Sequence, residues 1–499
     1  MRRDEASSGG RAGRKIRDGI ARSFSTSILS NYFWSVLNLV LSRGLRLIAI
    51  TLCVRQMGAE SWGAVASTIA FMSLIGLAAS QGLGGLPQIF RVNERALDRP
   101  LLFHITAYRL LMASIVLAGL RLLAPHVGAI NPLVLLYAWV LIPRALNIEW
   151  LLHRRERYHL TVTIGSLRAV LFIALAVTLI GPGASARTVI LMELATEFLG
   201  MLAGFVLLPR AVFARAPQSS HTPNAGGRLT LGVLLLAALP VFLSESLHVL
   251  PVTVDVLFLK LHHGLKAVAE YDIGSRICMA YFFLGATLVQ IVLPKISRFH
   301  GDGNIESLNR VLRVSSGVLL ALGSLFLLPS FYFASECIRL LFDKDYPSTL
   351  FVFQWMPVWA YVSFMTMLNT IVLLAAGKRR LYLYGAILAT SVNVAANWFL
   401  IRSYGVHGAV AARILGEAVF FVYAVRMLPA EVKSAYRGEM GVQVGMLAAL
   451  IAIYGVTAGI SGALTVRMTG FALSLALCGV VFWRRRVFSR ETLRAMHAH

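Results

Sequence analysis

The sequence is poor in charged residues: Asp, Glu, Lys and Arg make up 14% of the chain, against about 25% in soluble domains. Hydrophobic residues account for 57% of its 499 positions. A soluble core of this size would need a polar shell, and the charged residues present are too few to form one. The composition therefore excludes an ordinary soluble protein and indicates a chain that exposes apolar surface to lipid.

Cysteine and the common catalytic motifs are also scarce or absent. The four cysteines lie far apart and form no CxxC pair, which argues against a thiolate metal site. The sequence contains no GxxxxGK[ST] phosphate loop, no HExxH and no GxSxG, which argues against ATP hydrolysis by that loop, zinc proteolysis and serine hydrolysis. We therefore expect no catalytic residue, no metal and no cofactor, and a protein that is not an enzyme.

Apolar stretches dominate what remains, and each is long enough to cross a hydrocarbon core of about 30 Å. The predicted class is an all-α polytopic membrane protein with about 14 transmembrane helices. The predicted spans are residues 31–54, 61–83, 101–123, 131–152, 160–181, 188–209, 229–259, 269–294, 308–330, 351–376, 381–401, 407–427, 441–461 and 468–483. The first span is too long for the apolar region of a signal peptide, so we expect it to stay as a helix.

The basic residues cluster between these spans and give a formal net charge of +24. With the N-terminus in the cytoplasm, inside segments hold 31 Lys and Arg residues and outside segments hold 8. This alternation predicts an even number of spans with both termini cytoplasmic, because Lys and Arg accumulate on that side. It also explains the basic composition without nucleic-acid binding.

A linker rich in Pro, Ser and Gly divides six helices from the next six, a composition typical of flexible segments. Two six-helix bundles fit the pseudo-repeat plan of many transporters. The expected divisions are a basic cytoplasmic tail at 1–30, an N-terminal bundle at 31–209, a cytoplasmic linker at 210–228, a C-terminal bundle at 229–430, and two extra helices with a basic tail at 431–499.

Polar residues inside the spans are the candidate functional residues, because a charge at the bilayer centre costs about 2.5–3.5 kcal/mol. The first span carries a polar stripe along one face, with Arg43 beside it. Its members are Asn31, Ser35, Asn38, Ser42 and Arg46. Small polar residues alone would also suit a hydrogen-bonded helix seam, but the two arginines favour a watery lumen.

Later spans carry further charges. Arg276 follows Asp272 by four residues, and Glu417 follows Arg413 at the same spacing; such pairs can contact substrate or can neutralise each other within one helix. The fourth, fifth and sixth spans add Arg144, Asn147, Glu149, Arg168, Glu193 and Glu197, and the seventh adds Glu245 and Asp255. The acidic groups can bind a coupling Na⁺ or H⁺ or pair with the arginines, and the sequence leaves both readings open.

Three segments resemble the polysaccharide flippase family of the multidrug/oligosaccharidyl-lipid/polysaccharide exporter superfamily. The first contains QMGAESWG, which is similar to the family's LGPEEYG turn, with Gly58 and Gly63 at its glycines. The second contains AEYDIGSRICMAYFF, similar to the entry of the family's eighth helix, although Glu270 replaces a glycine. The third contains SVNVAANWFLIRSYGVHGAVAA, similar to the family's paired-asparagine helix and the glycine-rich start of the next, with Asn393 and Asn397 at the asparagines.

This resemblance implies a two-lobed bundle that flips undecaprenyl-diphosphate-linked oligosaccharide repeat units across the bacterial inner membrane by alternating access. It implies polysaccharide biosynthesis as the pathway, membrane lipids as surroundings, and polymerase or copolymerase proteins as partners. The related lipid II flippases place cavity arginines on helices 1 and 8, where Arg43, Arg46 and Arg276 fall here. We therefore expect Arg46 and Arg276 to hold the diphosphate with Arg43 assisting, since Arg suits phosphate oxygens.

The full set of candidate residues follows from these observations. The expected cavity cations are Arg46, Arg276, Arg43, Arg168 and Arg413; the expected coupling-ion or charge partners are Asp255, Glu245, Glu197, Glu417 and Asp272; the expected cavity amides are Asn38, Asn393 and Asn397. Two other functions compete with the flippase reading. A drug or small-molecule cation antiporter would need an acidic cavity, and a membrane-embedded polymerase or acyltransferase would need a large outer loop or a catalytic histidine.

Overall fold

A computed structural model describes residues 41–80, 99–128, 130–147, 149, 152, 158–207, 231–342 and 346–485. These residues are almost entirely helical and contain no strand. Ten of their helices are long and apolar enough to cross a membrane, and two of these ten each contain two helices joined at a glycine. The predicted all-α, multi-pass membrane fold is confirmed.

The described helices follow the fourteen predicted spans in order. We number them α1 (41–57), α2 (Ala59–Ser80), α3 (Arg99–Leu123), α4 (Pro132–Leu146), α5 (Tyr158–Leu179), α6 (Ala186–Leu207), α7 (231–263), α8 (265–301), α9 (Ile305–Tyr332), α10 (Pro347–Ala375), α11 (379–404), α12 (406–427), α13 (Ala430–Ile460) and α14 (Leu464–Arg484). Below, α1–α6 are called the N-terminal lobe and α7–α12 the C-terminal lobe. The predicted linker at 210–228 lies outside the described residues, so the division there stays a prediction.

Two glycines with positive φ separate consecutive helices of the C-terminal lobe. Gly264 ends α7 with φ 79° and Gly405 ends α11 with φ 55°; side chains rarely adopt this region, so glycine suits both positions. The ring of His263 lies against Gly405, and its Nε2 is 2.6 Å from the carbonyl oxygen of Ile401. The α7–α8 and α11–α12 turns therefore meet at one end of the bundle.

Prolines within the helices have different local effects. The backbone of α7 stays helical through Pro240 and Pro251, and its non-helical residue is Gly264. In α4, by contrast, residues Ala138–Val140 tighten into a 3-10 turn, one turn before Pro143. Pro143 removes the N–H that would bond four residues back, which accounts for the local change.

The segment 331–350, between the ninth and tenth predicted spans, contains a short helix, Ala334–Phe342. Its buried residues Ala334, Ile338 and Phe342 share one face at helical spacing. They join the apolar core of the N-terminal lobe. This amphipathic helix therefore connects the C-terminal lobe to the N-terminal lobe.

The last two helices pack on the outside of the C-terminal lobe. Both α13 and α14 contact α9 and each other. Gln443 Nε2 donates to Ser316 Oγ at 2.5 Å, and the hydroxyls of Tyr332 and Ser474 lie 3.1 Å apart. These buried polar contacts fix the pair of helices on α9, since each polar group needs a partner where lipid supplies none.

The two lobes are joined at one end, which we call the closed end. Trp62, at the start of α2, is buried and donates through Nε1 to Asp272 of α8 at 2.9 Å. A Cβ on Gly63 would lie 1.9 Å from the carbonyl oxygen of Leu265. Arg55 donates to the carbonyls of Leu340 and Leu341 at 2.5 and 2.6 Å. The QMGAESWG turn therefore seals this end, and Gly63 is required by the close approach of α2 to α8.

Candidate functional site

The predicted cavity cation Arg46 is held by a carboxylate of α6. Its Nη2 donates to both oxygens of Glu193, at 2.5 and 2.6 Å. The Arg46 side chain is 42% exposed, whereas that of Glu193 is 4% exposed. A buried carboxylate therefore anchors an arginine whose remaining donors are accessible, an arrangement that suits both helix pairing and anion contact.

A second carboxylate of α6 is shared between two arginines. Arg144 Nη2 lies 3.2 Å from Glu197 Oε1, and Arg168 Nη1 lies 3.7 Å from Glu197 Oε2. Arg168 also pairs with Glu149 at 2.8 Å. Two arginines and two glutamates thus link α4, α5 and α6. For Glu149 and Glu197 the structure shows pairing with arginines, which is one of the two alternatives that the sequence left open.

The fourth span breaks inside the bundle, and an arginine that the sequence analysis did not single out covers the break. Asn147 ends α4 with extended backbone, φ −65° and ψ 125°. Arg109 of α3 donates to the freed carbonyls of Arg144 and Asn147, at 2.7 and 3.2 Å. A broken helix at membrane depth needs such partners for its carbonyls. Arg109 lies within the third predicted span, and a charged residue at membrane depth was the signal that could have revealed it.

The N-terminal lobe thus carries more cations than anions near these contacts. Arg43, Arg46, Arg109, Arg144 and Arg168 are set against Glu149, Glu193 and Glu197. Among the described residues, no carboxylate pairs with Arg43 or Arg109. The guanidinium carbon of Arg43 instead lies 3.3 Å from the centre of the Phe283 ring, on α8 of the other lobe. The lobe therefore keeps an excess of fixed positive charge.

Arg276 lies at the closed end. Its Nε pairs with Asp272 Oδ2 at 2.6 Å, as the four-residue spacing predicts. The same oxygen accepts from Trp62, and the Arg276 guanidinium lies 5.6 Å from the Trp62 ring centre. Arg276 and Asp272 thus belong to the contact that joins α8 to α2. Arg276 and Arg46 pair with different carboxylates, Asp272 and Glu193.

The central charges of the C-terminal lobe form one buried cluster. Arg413 Nη1 lies 3.1 Å from Asp255 Oδ2, and their side chains are 4% and 0% exposed. Tyr271 and Asn397 each donate to Asp255 at 2.5 Å. The partner of Arg413 is therefore Asp255 of α7, rather than Glu417 four residues along its own helix as the sequence spacing suggested.

The asparagines of the third motif complete this cluster. Asn397 also donates to Asn393 Oδ1 at 3.1 Å, and both side chains are buried. The Arg413 guanidinium lies 4.5 Å from the ring centre of Trp359. Three side chains donate to the Asp255 carboxylate, and one of them is the Arg413 guanidinium, so its negative charge already has a cation supplied by the chain itself.

Two further predicted carboxylates lie in the C-terminal lobe. Glu245 is partly buried in α7, and no ion pair joins it to a described residue. Glu417, in α12, lies beside the Arg413 cluster and makes side-chain hydrogen bonds with Thr366 and Trp359. Asn38 lies outside the described residues. Within the described part of the chain, no three His, Cys, Asp or Glu side chains come close enough to hold a metal.

A cavity of about 280 Å³ opens between α2, α3, α4 and Val249 of α7. Its lining includes Arg109 and Arg144, together with Gly76. Gly76 follows Gly63 by thirteen residues along α2, which places the cavity about 20 Å from the closed end. The chain thus has a sealed end and, further along the same helices, a cation-lined space in the N-terminal lobe that borders α7 of the other lobe at Val249.

Several solved structures of transport proteins share this fold. The chain is similar to the lipid II flippase MurJ in an inward closed conformation, with TM-score 0.66, 14% identity, and coverage of 91% of this chain and 99% of that chain. It is also similar to an inward-facing multidrug resistance MATE family transporter of the MOP superfamily (TM-score 0.59, 18% identity, 81% and 99% covered). A third similar structure is a MOP superfamily transporter from Pyrococcus furiosus, with TM-score 0.55, 17% identity, and coverage of 84% of this chain and 96% of that chain.

Sequence comparison gives the family. No curated protein sequence matches significantly. The family model described as "Polysaccharide biosynthesis protein" matches residues 28–300. This match covers more than half of the chain and includes the closed end, the N-terminal arginines and the cavity. The chain therefore belongs to the polysaccharide biosynthesis protein family and has the multi-pass membrane fold of the MOP superfamily, as its sequence motifs indicated.

Proposed function

We infer that this protein is a flippase that moves undecaprenyl-diphosphate-linked oligosaccharide repeat units across the bacterial inner membrane. The observation that carries the proposal is the excess of arginine over glutamate in the N-terminal lobe, where Arg46 and Arg144 are 42% and 40% exposed. A diphosphate is doubly anionic and is recognised by guanidinium forks. Fixed cations facing a lumen therefore suit the head of such a lipid.

The closed end and the cavity support alternating access. One end of the interface is sealed through Trp62, Gly63 and Arg55, and the cavity lies further along the same helices. Breaking the seal while the other end closes would expose the cavity to the opposite side, as in transporters built from two packed lobes. The positive-inside count supports an orientation with both termini in the cytoplasm.

The membrane potential is the proposed driving force. Outward movement of negative charge follows an inside-negative potential at about 2.3 kcal/mol per charge per 100 mV. Two phosphate charges would supply roughly 4–5 kcal/mol at that potential. Because Arg413 already neutralises Asp255, we propose that this carboxylate does not bind the coupling ion.

A vesicle assay tests the function. The purified protein is reconstituted with an undecaprenyl-diphosphate-linked oligosaccharide, and accessibility of the sugar to an external lectin is followed with and without an imposed potential. We expect flipping that slows when the potential is collapsed at fixed pH and Na⁺. An unchanged rate would contradict potential-driven transport, and transport of organic cations in place of the lipid would favour the antiporter alternative.

A genetic assay tests the same proposal in cells. Loss of the gene should stop polymer export, and Arg46→Gln should fail to restore it while still inserting into the membrane. The matched control is Arg402→Gln, which removes the same charge from an exposed position of α11. Full export by Arg46→Gln would remove Arg46 from the transport path.

A further inference from the structure

The cavity lined by α2, α3 and α4 is small for a whole substrate. Its volume is about 280 Å³, at the lower limit of the roughly 300–1,000 Å³ of pockets that enclose small molecules. A lipid-linked oligosaccharide is far larger. The cavity therefore fits one chemical group of a larger ligand, with the remainder outside it.

Arg144 presents an unoccupied side of its guanidinium to this cavity. Its Nη2 lies 3.2 Å from Glu197 and 3.5 Å from the Tyr137 hydroxyl. Its Nη1 is the atom nearest to Gly76, 3.9 Å from where a Cβ would stand. Both Arg144 and Gly76 line the cavity. Glu197 thus orients the guanidinium from behind while Nη1 faces the space in front.

Arg109 contributes a second charge that the described protein does not neutralise. Its side chain donates to the backbone carbonyls of Arg144 and Asn147, which carry no net charge. The residue is only 9% exposed. A guanidinium that is buried among neutral acceptors attracts an anion, because its charge is poorly solvated.

We propose that this cavity is the subsite for the diphosphate group, with Arg144 and Arg109 as its cations. The inference rests on the proposed function and sharpens it, since it adds to the transport path of Arg46 a defined anion site at the broken helix α4 and its neighbour α3. The phosphate oxygens bond to Nη1 of Arg144 in front of Gly76. Arg109 holds the end of α4 in place and adds its charge from the cavity wall.

Binding to the full-length protein in phosphatidylcholine nanodiscs tests this site. The probes are undecaprenyl diphosphate, undecaprenol and inorganic pyrophosphate. Loss of one charge-assisted contact should weaken binding of undecaprenyl diphosphate by about 10- to 100-fold in Arg144→Gln and in Arg109→Gln. Undecaprenol, which lacks phosphate, should bind the variants as it binds the wild type.

Three further variants keep the test valid if the arginine changes disturb folding. Gly76→Leu leaves every charge in place and fills the cavity, so it should also weaken binding of the diphosphate. Glu197→Gln releases Nη2 of Arg144 and should tighten binding. Arg121→Gln removes a charge from the same helix as Arg109, about 18 Å away, where the guanidinium stacks on Trp139; it should bind as the wild type does.

The outcomes separate the subsite from the function. If undecaprenyl diphosphate binds the wild type more tightly than undecaprenol, but Arg144→Gln and Gly76→Leu bind it unchanged, the subsite is wrong and the flippase proposal stands. If the wild type does not distinguish the two lipids, both fail. If pyrophosphate binds as tightly as the lipid diphosphate, the cavity is a site for a free anion and the assignment to the lipid head is overturned.

Discussion

The arginines of the N-terminal lobe and the arginine at the centre of the C-terminal lobe are held in opposite ways. Arg46 and Arg144 are 42% and 40% exposed beside buried or half-buried glutamates. Arg413 is 4% exposed and pairs with an Asp255 that is fully buried. Both lobes thus use ion pairs, but the first leaves donors facing a lumen and the second encloses them. The difference suggests that charge serves ligand contact in one lobe and architecture in the other.

The largest effect should come from Arg413, because an uncompensated buried charge is costly. Arg413→Met should destabilise the protein by about 3–5 kcal/mol, measured as thermal stability in detergent by size-exclusion fluorescence. Asp255→Asn combined with Arg413→Met should recover most of that loss. Low stability in the double variant as well would show that the pair does more than neutralise itself.

Arg46 tests the exposed ion pair of the N-terminal lobe. Arg46→Gln leaves Glu193 unpaired, so it should lower both stability and polymer export, with export falling more than tenfold through loss of a charged contact. Arg46→Gln with Glu193→Gln should restore stability and leave export low. Restored export would mean that this pair is structural, like the pair in the C-terminal lobe.

Gly63 tests the contact where the lobes join. A Cβ there would lie 1.9 Å from the Leu265 carbonyl oxygen, so Gly63→Ala should cost about 1–3 kcal/mol through overpacking. Gly119, in α3, has no atom within 4 Å of its virtual Cβ. Gly119→Ala is the control and should be neutral or slightly stabilising. Equal thermal stability of the two variants would argue against a tight seal.

The smallest effect should come from an ion pair outside the lobes. Glu336, in the short outer helix, pairs with Arg467 at 2.7 Å with side chains 50% and 28% exposed. Glu336→Gln should therefore cost less than about 1 kcal/mol, since solvent screens the pair. A loss as large as that of Arg413→Met would mean that exposure does not separate the two kinds of charge.

The pH dependence of the same pair has a defined sign. Slight burial raises the pKa of Glu336, but hydrogen bonds from Arg467 and Ser335 outweigh this and hold the pKa below its ordinary value of 4.5. The folded state then binds this proton less readily than the unfolded state, so the stabilisation is present above the unfolded pKa and is lost as the pH falls through the folded pKa. Thermal stability of the wild type and of Glu336→Gln should converge at acid pH.

Several parts of the site followed from local spacing. Asp272 and Arg276, four residues apart, pair as an isolated helix would allow. Gly58 takes φ 82° directly after α1, at the first glycine of the turn motif. The Asp272–Arg276 pair depends on residues near one another in sequence. Gly58 was recognisable because glycine is the residue type that readily adopts a positive φ.

Other parts could not be predicted because they join distant helices. Arg413 had a carboxylate at the correct spacing on its own helix, yet it pairs with Asp255, which is 158 residues away. Arg109 carried no motif, and its role appears only where it reaches the broken end of α4. Helix spacing describes neighbours on one helix, whereas these contacts depend on which faces pack together.

The sequence by itself determined that this chain is hydrophobic helix in a bilayer, because few charges and long apolar runs leave no soluble alternative. It also indicated the family, because glycines and asparagines in three segments match the spacing of the family's motifs. Only the tertiary structure decided which arginines face the lumen and which are enclosed. In a bilayer every buried charge must find a partner, and that partner is chosen by helix packing rather than by distance along the chain.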